Sequence, residues 1–146
     1  MAKIWANSGD SHFNEPADLW SSSLPKDLAD RTPRSVKDAD GEFETVFVDG
    51  QSFRRKMPNP KQLEFLAMSS AAKGSGNMEE RIKDLNNEGV WAEVVFPSLG
   101  MWNACFRDPK LVKEVMRVSN DWAWTEIAAK SDRMVVTAQV SMLSID

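Results

Sequence analysis

The sequence predicts an α/β fold built on parallel strands, and three observations support this prediction. Its second half alternates between β-branched, mainly apolar segments and amphipathic helical segments. The segment "VWAEVVFPS" is apolar on both faces, which is typical of a strand in a buried parallel sheet. The chain has 146 residues, 42% of them hydrophobic, which suits one domain with a packed core.

The first strand is predicted from about Lys3 to Ser8, where apolar and polar residues alternate before the chain turns polar. A short helix with Leu19, Trp20 and Leu24 on its apolar side should follow Pro16. The charged, proline-containing residues 26–40 are expected to be exposed and largely irregular.

A hairpin is predicted next. Its strands should be Phe43–Val48 and Ser52–Met57, joined by the two-residue turn Asp49-Gly50. The segment 58–76 contains two early prolines and a late run of glycine and serine, so we expect mostly loop with a short helix at Lys61–Ala67.

Local signals are strongest in the remaining half of the chain. A helix should begin after Asn77 and end at Gly89, and a second should begin at Asp108-Pro109 and run to about Ala129. Residues 133–143, "RMVVTAQVSML", read as another buried strand. The predicted order is therefore strand, long excursion, helix, strand, helix, strand.

Composition excludes several classes of function. A net charge of −4 and a pI of about 5.1 argue against nucleic acid or an anionic membrane as partner, since both require a basic surface. The single cysteine excludes an internal disulfide and suits a reducing compartment, so we expect a cytoplasmic protein. The N-terminus lacks an apolar signal region, and no segment approaches about 18 consecutive apolar residues.

One short motif has the chemistry of a metal site. Asp10 and His12 are two residues apart, so on a strand both side chains point to the same face. A carboxylate and an imidazole suit zinc or manganese. The alternative is a polar turn with local hydrogen bonds. Glu15 is expected to be a helix-start or surface carboxylate, and Cys105 a buried small side chain, rather than ligands.

Three ordered segments carry a family resemblance: "SGDSHFNEPADLW", "NNEGVWAEVVFPSLG" and "SNDWAWTEIAAKSDRMVVTAQVSML". Together they resemble the N-terminal part of the amidohydrolase-related family, the branch of the amidohydrolase superfamily that includes aminocarboxymuconate semialdehyde decarboxylase and the resorcylate-type decarboxylases. The resemblance covers nearly all of the chain and is weakest between residues 37 and 76. It implies the first three strands of a (β/α)₈ barrel, with an insertion over residues 13–76 after strand one.

The resemblance also implies a function. In that family an acidic-or-His, any residue, His motif at the end of strand one binds a divalent metal, and the matching residues here are Asp10 and His12. The metal is most simply zinc, with manganese as the alternative. The implied reaction is hydrolysis or non-oxidative decarboxylation of a small carboxylated substrate. No catalytic acid, base or substrate-binding residue can be assigned, and the acid or base would lie outside this chain.

The remaining ligands in that family are a further histidine and an aspartate from later strands, and this sequence has one histidine. Three interpretations stay open. The chain is a fragment of a longer enzyme, which we favour; or it is one subunit of a split enzyme completed by a second chain; or it is a non-catalytic remnant that acts as a binding module. A fragment would expose strand edges, so homo-oligomer formation or association with a complementing chain is expected.

Overall fold

The structure, a computed structural model, describes residues 4–143 with the exception of the side chains of residues 69, 70 and 101. It is a mixed α/β structure with six strands and five α-helices among these residues. The strands are β1 (Ala6–Phe13), β2 (Arg34–Lys37), β3 (Phe43–Val48), β4 (Gln51–Lys56), β5 (Val90–Pro97) and β6 (Met134–Val136). The helices are α1 (Leu19–Ser23), α2 (Lys26–Ala29), α3 (Pro60–Ala71), α4 (Met78–Glu88) and α5 (Pro109–Glu126).

Three strands form a parallel sheet in the order β1-β5-β6. This confirms the predicted parallel pairing, since each neighbour pair is connected through a helical crossover. Helices α4 and α5 cover one face of the sheet. The buried residues of that layer, called here the sheet cluster, are Phe13, Leu85, Val95, Ile127 and Met134.

Local chemistry sets the ends of α4 and α5, as predicted. The Asn77 side chain accepts a hydrogen bond from the Glu80 N–H at the start of α4, and Gly89 closes that helix at φ 80°, in the left-handed region. Asp108 caps α5 by accepting from the Lys110 N–H, and Pro109 occupies the first turn.

The long excursion after β1 contains its own antiparallel sheet in the order β2-β3-β4. Asp49 and Gly50 both have positive φ, 47° and 73°, which is the two-residue hairpin turn that the sequence predicts. Helix α2 and strand β2, which pairs with β3, both lie within residues 26–40, so the prediction that this segment is largely irregular is wrong. Helix α3 is also longer than predicted, at 12 residues.

The apolar stripe of helix α5 also packs against the long excursion after β1, called here the insertion. The buried residues there, called the insertion cluster, come from α1, α2, β3, α5 and Phe106. They are Leu19, Trp20, Leu24, Leu28, Val48, Phe106, Leu111, Val112, Val115, Met116 and Val118. The insertion therefore shares its core with the helix that covers the parallel sheet.

Two strands differ in length from their predictions. β1 continues to Phe13, five residues beyond the predicted end at Ser8, whereas the predicted start at Lys3 lies outside the described residues. β6 ends at Val136 instead of Leu143. Beyond it, the Asn120 side chain donates to the Gln139 carbonyl and accepts from the Gln139 N–H, so those backbone groups bond to α5 instead of extending the sheet.

Among the described residues, the second face of the parallel sheet, called here the bare face, leaves large apolar side chains exposed. Phe96 is 38% exposed and Val135 is 57% exposed, although both sit in a parallel sheet, where both faces are ordinarily covered. Within residues 4–143, no helix is long and apolar enough to cross a membrane.

Candidate metal site

Asp10 and His12 lie on the same side of β1, as their spacing predicts. Ser11 and Phe13 are buried against the helices, while Asp10 and His12 are exposed on the bare side of the sheet. The Asp10 Oδ1 and His12 Nε2 atoms are 3.9 Å apart. The strand therefore brings the two predicted ligands together at its carboxyl end.

A bulge in β1 immediately precedes His12. Ser8 pairs with Glu93 and Ser11 pairs with Val95, so three steps along β1 match two along β5. Such a bulge redirects the side chains of the strand that contains it, and bulges are frequent beside functional sites. Regular pairing resumes with His12 opposite Phe96.

The imidazole of His12 is oriented by β5. Its Nδ1 is 3.2 Å from the Phe96 carbonyl oxygen, and its ring centroid is 6.4 Å from that of Phe96. A carbonyl oxygen can only accept, so Nδ1 carries the proton and the neutral ring keeps its lone pair on Nε2. Metal-binding histidines commonly have this second hydrogen bond, which fixes the tautomer and the ring orientation.

The donor atoms fit a shared cation. Two donors bound to one tetrahedral zinc lie roughly 3.3 Å apart, given bond lengths near 2.05 Å. The observed 3.9 Å can close by a small rotation, because the Asp10 and His12 side chains are 83% and 58% exposed. Within the described residues, no group of three or more His, Cys, Asp or Glu side chains could hold a metal ion, so the pair supplies two ligands only.

The sequence predicts a helix-start or surface carboxylate at Glu15, but the residue lies before the Asp18 N-cap position of α1 and is partly buried. Its side chain is half-buried, and its Oε1 accepts a hydrogen bond from the Leu99 N–H at 3.2 Å. Burial raises the pKa of Glu15 above its ordinary value, although backbone hydrogen bonds from Glu15, Leu99 and Ser98 act in the opposite direction. Glu15 thus ties the chain that leaves β1 to the chain that leaves β5, a contact across 84 residues that local sequence rules could not reveal.

A buried polar cluster lies directly behind the pair, on the helix-covered side. The Arg81 guanidinium of α4 donates to both carboxylate oxygens of Glu93, at 2.8 and 2.9 Å, and also to the Ser11 hydroxyl. The sequence gives no signal for this cluster, because its members are 12 and 70 residues apart.

The insertion adds a cavity of about 550 Å³ near the same end of the sheet. Ala17 and Leu99, which lie shortly beyond the ends of β1 and β5, are both part of its lining, together with Trp102 and Arg55. The Arg55 guanidinium lies 5.7 Å from the Trp102 ring centroid and donates through Nε to Glu44 at 2.7 Å. Cys105 is half-buried and packs against the insertion cluster.

Comparison with known proteins shows a likeness in fold to a solved structure. A solved structure of an amidohydrolase from Mycobacterium avium subsp. paratuberculosis K-10 is similar over 97% of this chain, with a TM-score of 0.69 and 16% sequence identity. This chain spans 43% of the length of that structure. No protein-family model and no curated protein matches the chain. At this identity the likeness shows the fold alone: the chain has the fold of part of an amidohydrolase.

Proposed function

We propose that this chain is the N-terminal part of a metal-dependent enzyme of the amidohydrolase-related family, with Asp10 and His12 as two ligands of a divalent cation. The observation that carries the proposal is the Asp10–His12 pair at the carboxyl end of a parallel strand, with Nδ1 of the histidine already engaged by the Phe96 carbonyl. Active sites of (β/α)₈ barrels lie at this end of the strands. The fold likeness to an amidohydrolase is consistent with that placement.

The residues of the pair have distinct tasks in this proposal. His12 presents Nε2 to the cation because Nδ1 donates to Phe96. Asp10 supplies a negatively charged oxygen from a side chain that can rotate to meet it. The mixed oxygen and nitrogen donor set favours zinc and also accommodates manganese. A cation held there would activate water for hydrolysis, or polarise a carboxylated substrate for non-oxidative decarboxylation.

The surroundings fit a substrate site at the same end of the sheet. The insertion supplies one wall of the cavity that begins at Ala17 and Leu99. Glu15 joins the two strand ends by its hydrogen bond to Leu99 and so keeps that wall in register with β5. A small carboxylated molecule is the substrate class that we propose.

A catalytic zinc commonly uses three protein ligands, and this chain offers two in the described pair. The proposal therefore requires further ligands from strands that complete the barrel. We favour a longer gene product as their source. A second polypeptide is the alternative, in which case this chain acts in the cytoplasm as one subunit of a split enzyme. The exposed apolar face at Phe96 and Val135 supports either form of completion.

The decisive experiment uses the complete reading frame that contains this chain, expressed and analysed for bound metal and turnover. We expect a histidine at a later strand end and a later aspartate in that frame. His12→Ala should lose metal and activity together, and Asp10→Asn should weaken both, because asparagine keeps the shape but not the charge that attracts a dication. Glu15→Gln is the control and should retain its metal, since an amide oxygen can still accept from Leu99.

Two outcomes would contradict the proposal. A full complement of metal in His12→Ala would reduce the motif to a polar turn. A stop codon directly after Asp146, without a complementing gene nearby, would instead favour the non-catalytic remnant.

A further inference from the structure

We propose that Arg81 is a positioning residue for the Asp10–His12 pair: together with Glu93 and Ser11 it holds the bulge of β1 that aims both side chains. This inference rests on the proposed metal function only for its consequence, namely metal affinity. Its structural content, which is control of the conformation of residues 9–12, can be measured without any metal.

The contacts form a closed set on the helix-covered side of the sheet. Arg81 binds Glu93 in a two-point fork, with Nε to Oε2 at 2.8 Å and Nη2 to Oε1 at 2.9 Å, and Nη2 also donates to the Ser11 hydroxyl. The Arg81 side chain is 20% exposed and that of Glu93 is 6% exposed. Ser11 lies between the two proposed ligands in sequence and points to the opposite face.

The position of these contacts links them to the bulge. Glu93 pairs with Ser8, before the irregular step, whereas Ser11 is the first residue to pair after it. One guanidinium therefore spans the irregular step. The two residues inside the step add little packing of their own. No atom lies within 4 Å of the place where a Cβ would stand on Gly9, and the Asp10 side chain is exposed. The Ser8 hydroxyl also donates to the Asp10 carbonyl at 3.2 Å within this step.

A contribution to folding stability does not by itself explain why Arg81, Glu93 and Ser11 are brought together here. Arg81 stands one turn before Leu85 on α4, and Glu93 stands two residues before Val95 on β5, so both share a face with residues of the sheet cluster. Taking two charges out of water carries a large desolvation cost, and buried ion pairs can often be replaced by apolar residues without loss. An arginine–carboxylate fork does offer fixed, planar geometry that apolar packing lacks. That property matters where two ligands on the other side of the same strand must converge.

The test uses the 146-residue chain and its single histidine, whose ring gives one set of NMR signals. Zinc titration is followed at the His12 ring, with the ¹⁵N shifts of that ring and amide exchange of residues 10–12 measured in metal-free protein. The variants are Arg81→Lys, which keeps the charge without the fork, and the double variant Arg81→Met with Glu93→Met, which leaves no unpaired buried charge. Arg31→Lys is the control, because Arg31 also pairs with carboxylates, Asp49 and Asp108, but does so in the insertion and away from β1.

We expect both Arg81 variants to bind zinc about tenfold more weakly, in the range typical of residues that orient a metal ligand. Their Nδ1–H tautomer should be less populated and their amides at residues 10–12 should exchange faster, whereas Arg31→Lys should match the wild type in all three readouts. Wild-type values in the double variant would overturn the inference and leave the proposed function intact. The tautomer and exchange measurements need no zinc and decide the role of Arg81 by themselves, whereas the metal content of the complete reading frame tests the proposed function separately.

Discussion

The insertion and the parallel sheet both pack against helix α5, and they differ in how completely their own residues are packed. The insertion cluster joins eleven buried residues from four elements and the segment before α5. The sheet cluster joins five, and the other face of its sheet carries exposed Phe96 and Val135. The insertion thus has the more complete core, whereas the sheet that bears the proposed ligands is covered on one face only.

The two regions also use buried arginine–carboxylate pairs for different ends. In the insertion, Arg31, Asp49 and Asp108 join the hairpin turn to the start of α5. In the sheet, the Arg81–Glu93 pair lies behind a bulge and two exposed polar side chains. The first pair joins two elements within a finished core. The second pair holds the bulge in β1, a local distortion that the packing of the bare face would not by itself produce.

The largest expected effect tests the insertion core. Phe106 is 1% exposed and its ring lies 6.0 Å from that of Trp20 at 72°, an edge-on arrangement. Phe106→Ala should lower the free energy of unfolding by about 4 kcal/mol, since truncation leaves a cavity among residues that are already fixed. Urea unfolding at pH 7 measures this. A loss below about 1 kcal/mol would mean that the insertion is packed no better than the sheet.

An intermediate effect, with a defined pH dependence, is expected at Asp49. Burial acts to raise the pKa of Asp49, but the N–H groups of Arg107 and Asp108 and the guanidinium of Arg31 outweigh it and hold the pKa below its ordinary value. Asp49→Asn keeps a residue that tolerates the positive φ of the turn but removes the charge. We expect a loss of about 2 kcal/mol at pH 7, the range for hydrogen bonds to a charged group, because Arg31 keeps Asp108 as a partner.

The sign of the pH dependence follows from the lowered pKa. The carboxylate contributes stability above its unfolded-state pKa, about 3.9, and this contribution is lost as the pH falls through the lower, folded-state pKa. The difference between wild type and Asp49→Asn should therefore be full at pH 7 and shrink below about pH 4. Thermal unfolding across pH 2.5–7 measures it, with Asp121→Asn, an exposed carboxylate on α5, as the control. A difference that does not change with pH would assign the loss to hydrogen-bond geometry alone.

The smallest effect on stability, and the clearest on association, is expected on the bare face. Val135→Thr keeps a β-branched side chain, so unfolding should change by no more than about 0.5 kcal/mol. Self-association of the isolated chain, measured by sedimentation, should fall because the apolar face that would seek cover is reduced. Trp124→Gln is the comparison, since Trp124 is 64% exposed on the outer side of α5. Weaker association in Trp124→Gln but not in Val135→Thr would place the self-association surface on the outer side of α5 instead of the bare face of the sheet.

Features set by a few neighbouring residues were the ones that the sequence predicted well. The cap at Asn77, the stop at Gly89, the Asp108-Pro109 start and the Asp49-Gly50 turn depend on contacts within four residues, and the structure has all of them. The same holds for the Asp10 and His12 side chains on one face of β1. Parallel pairing followed from the alternation of strands and helices.

Features set by distant partners escaped the sequence. Strand β2 is a charged segment with one apolar residue, Val36. It forms a strand because its backbone pairs with that of β3. Residues after Val136 have a strand-like pattern, but Asn120 takes the backbone groups of Gln139. Glu15 looked solvent-exposed from its neighbours, yet its partner at Leu99 is brought near by the pairing of β1 with β5.

Trp122 connects the two cores. It packs against both the insertion cluster and the sheet cluster, and its ring lies 6.2 Å from that of Phe13 on β1. A side chain common to two cores couples their free energies, so opening one removes part of the support of the other. The molecule should then melt in a single cooperative transition, with tryptophan fluorescence and far-ultraviolet circular dichroism losing signal together. The strand that carries Asp10 and His12 should thereby unfold at the same temperature as the β3-β4 hairpin of the insertion.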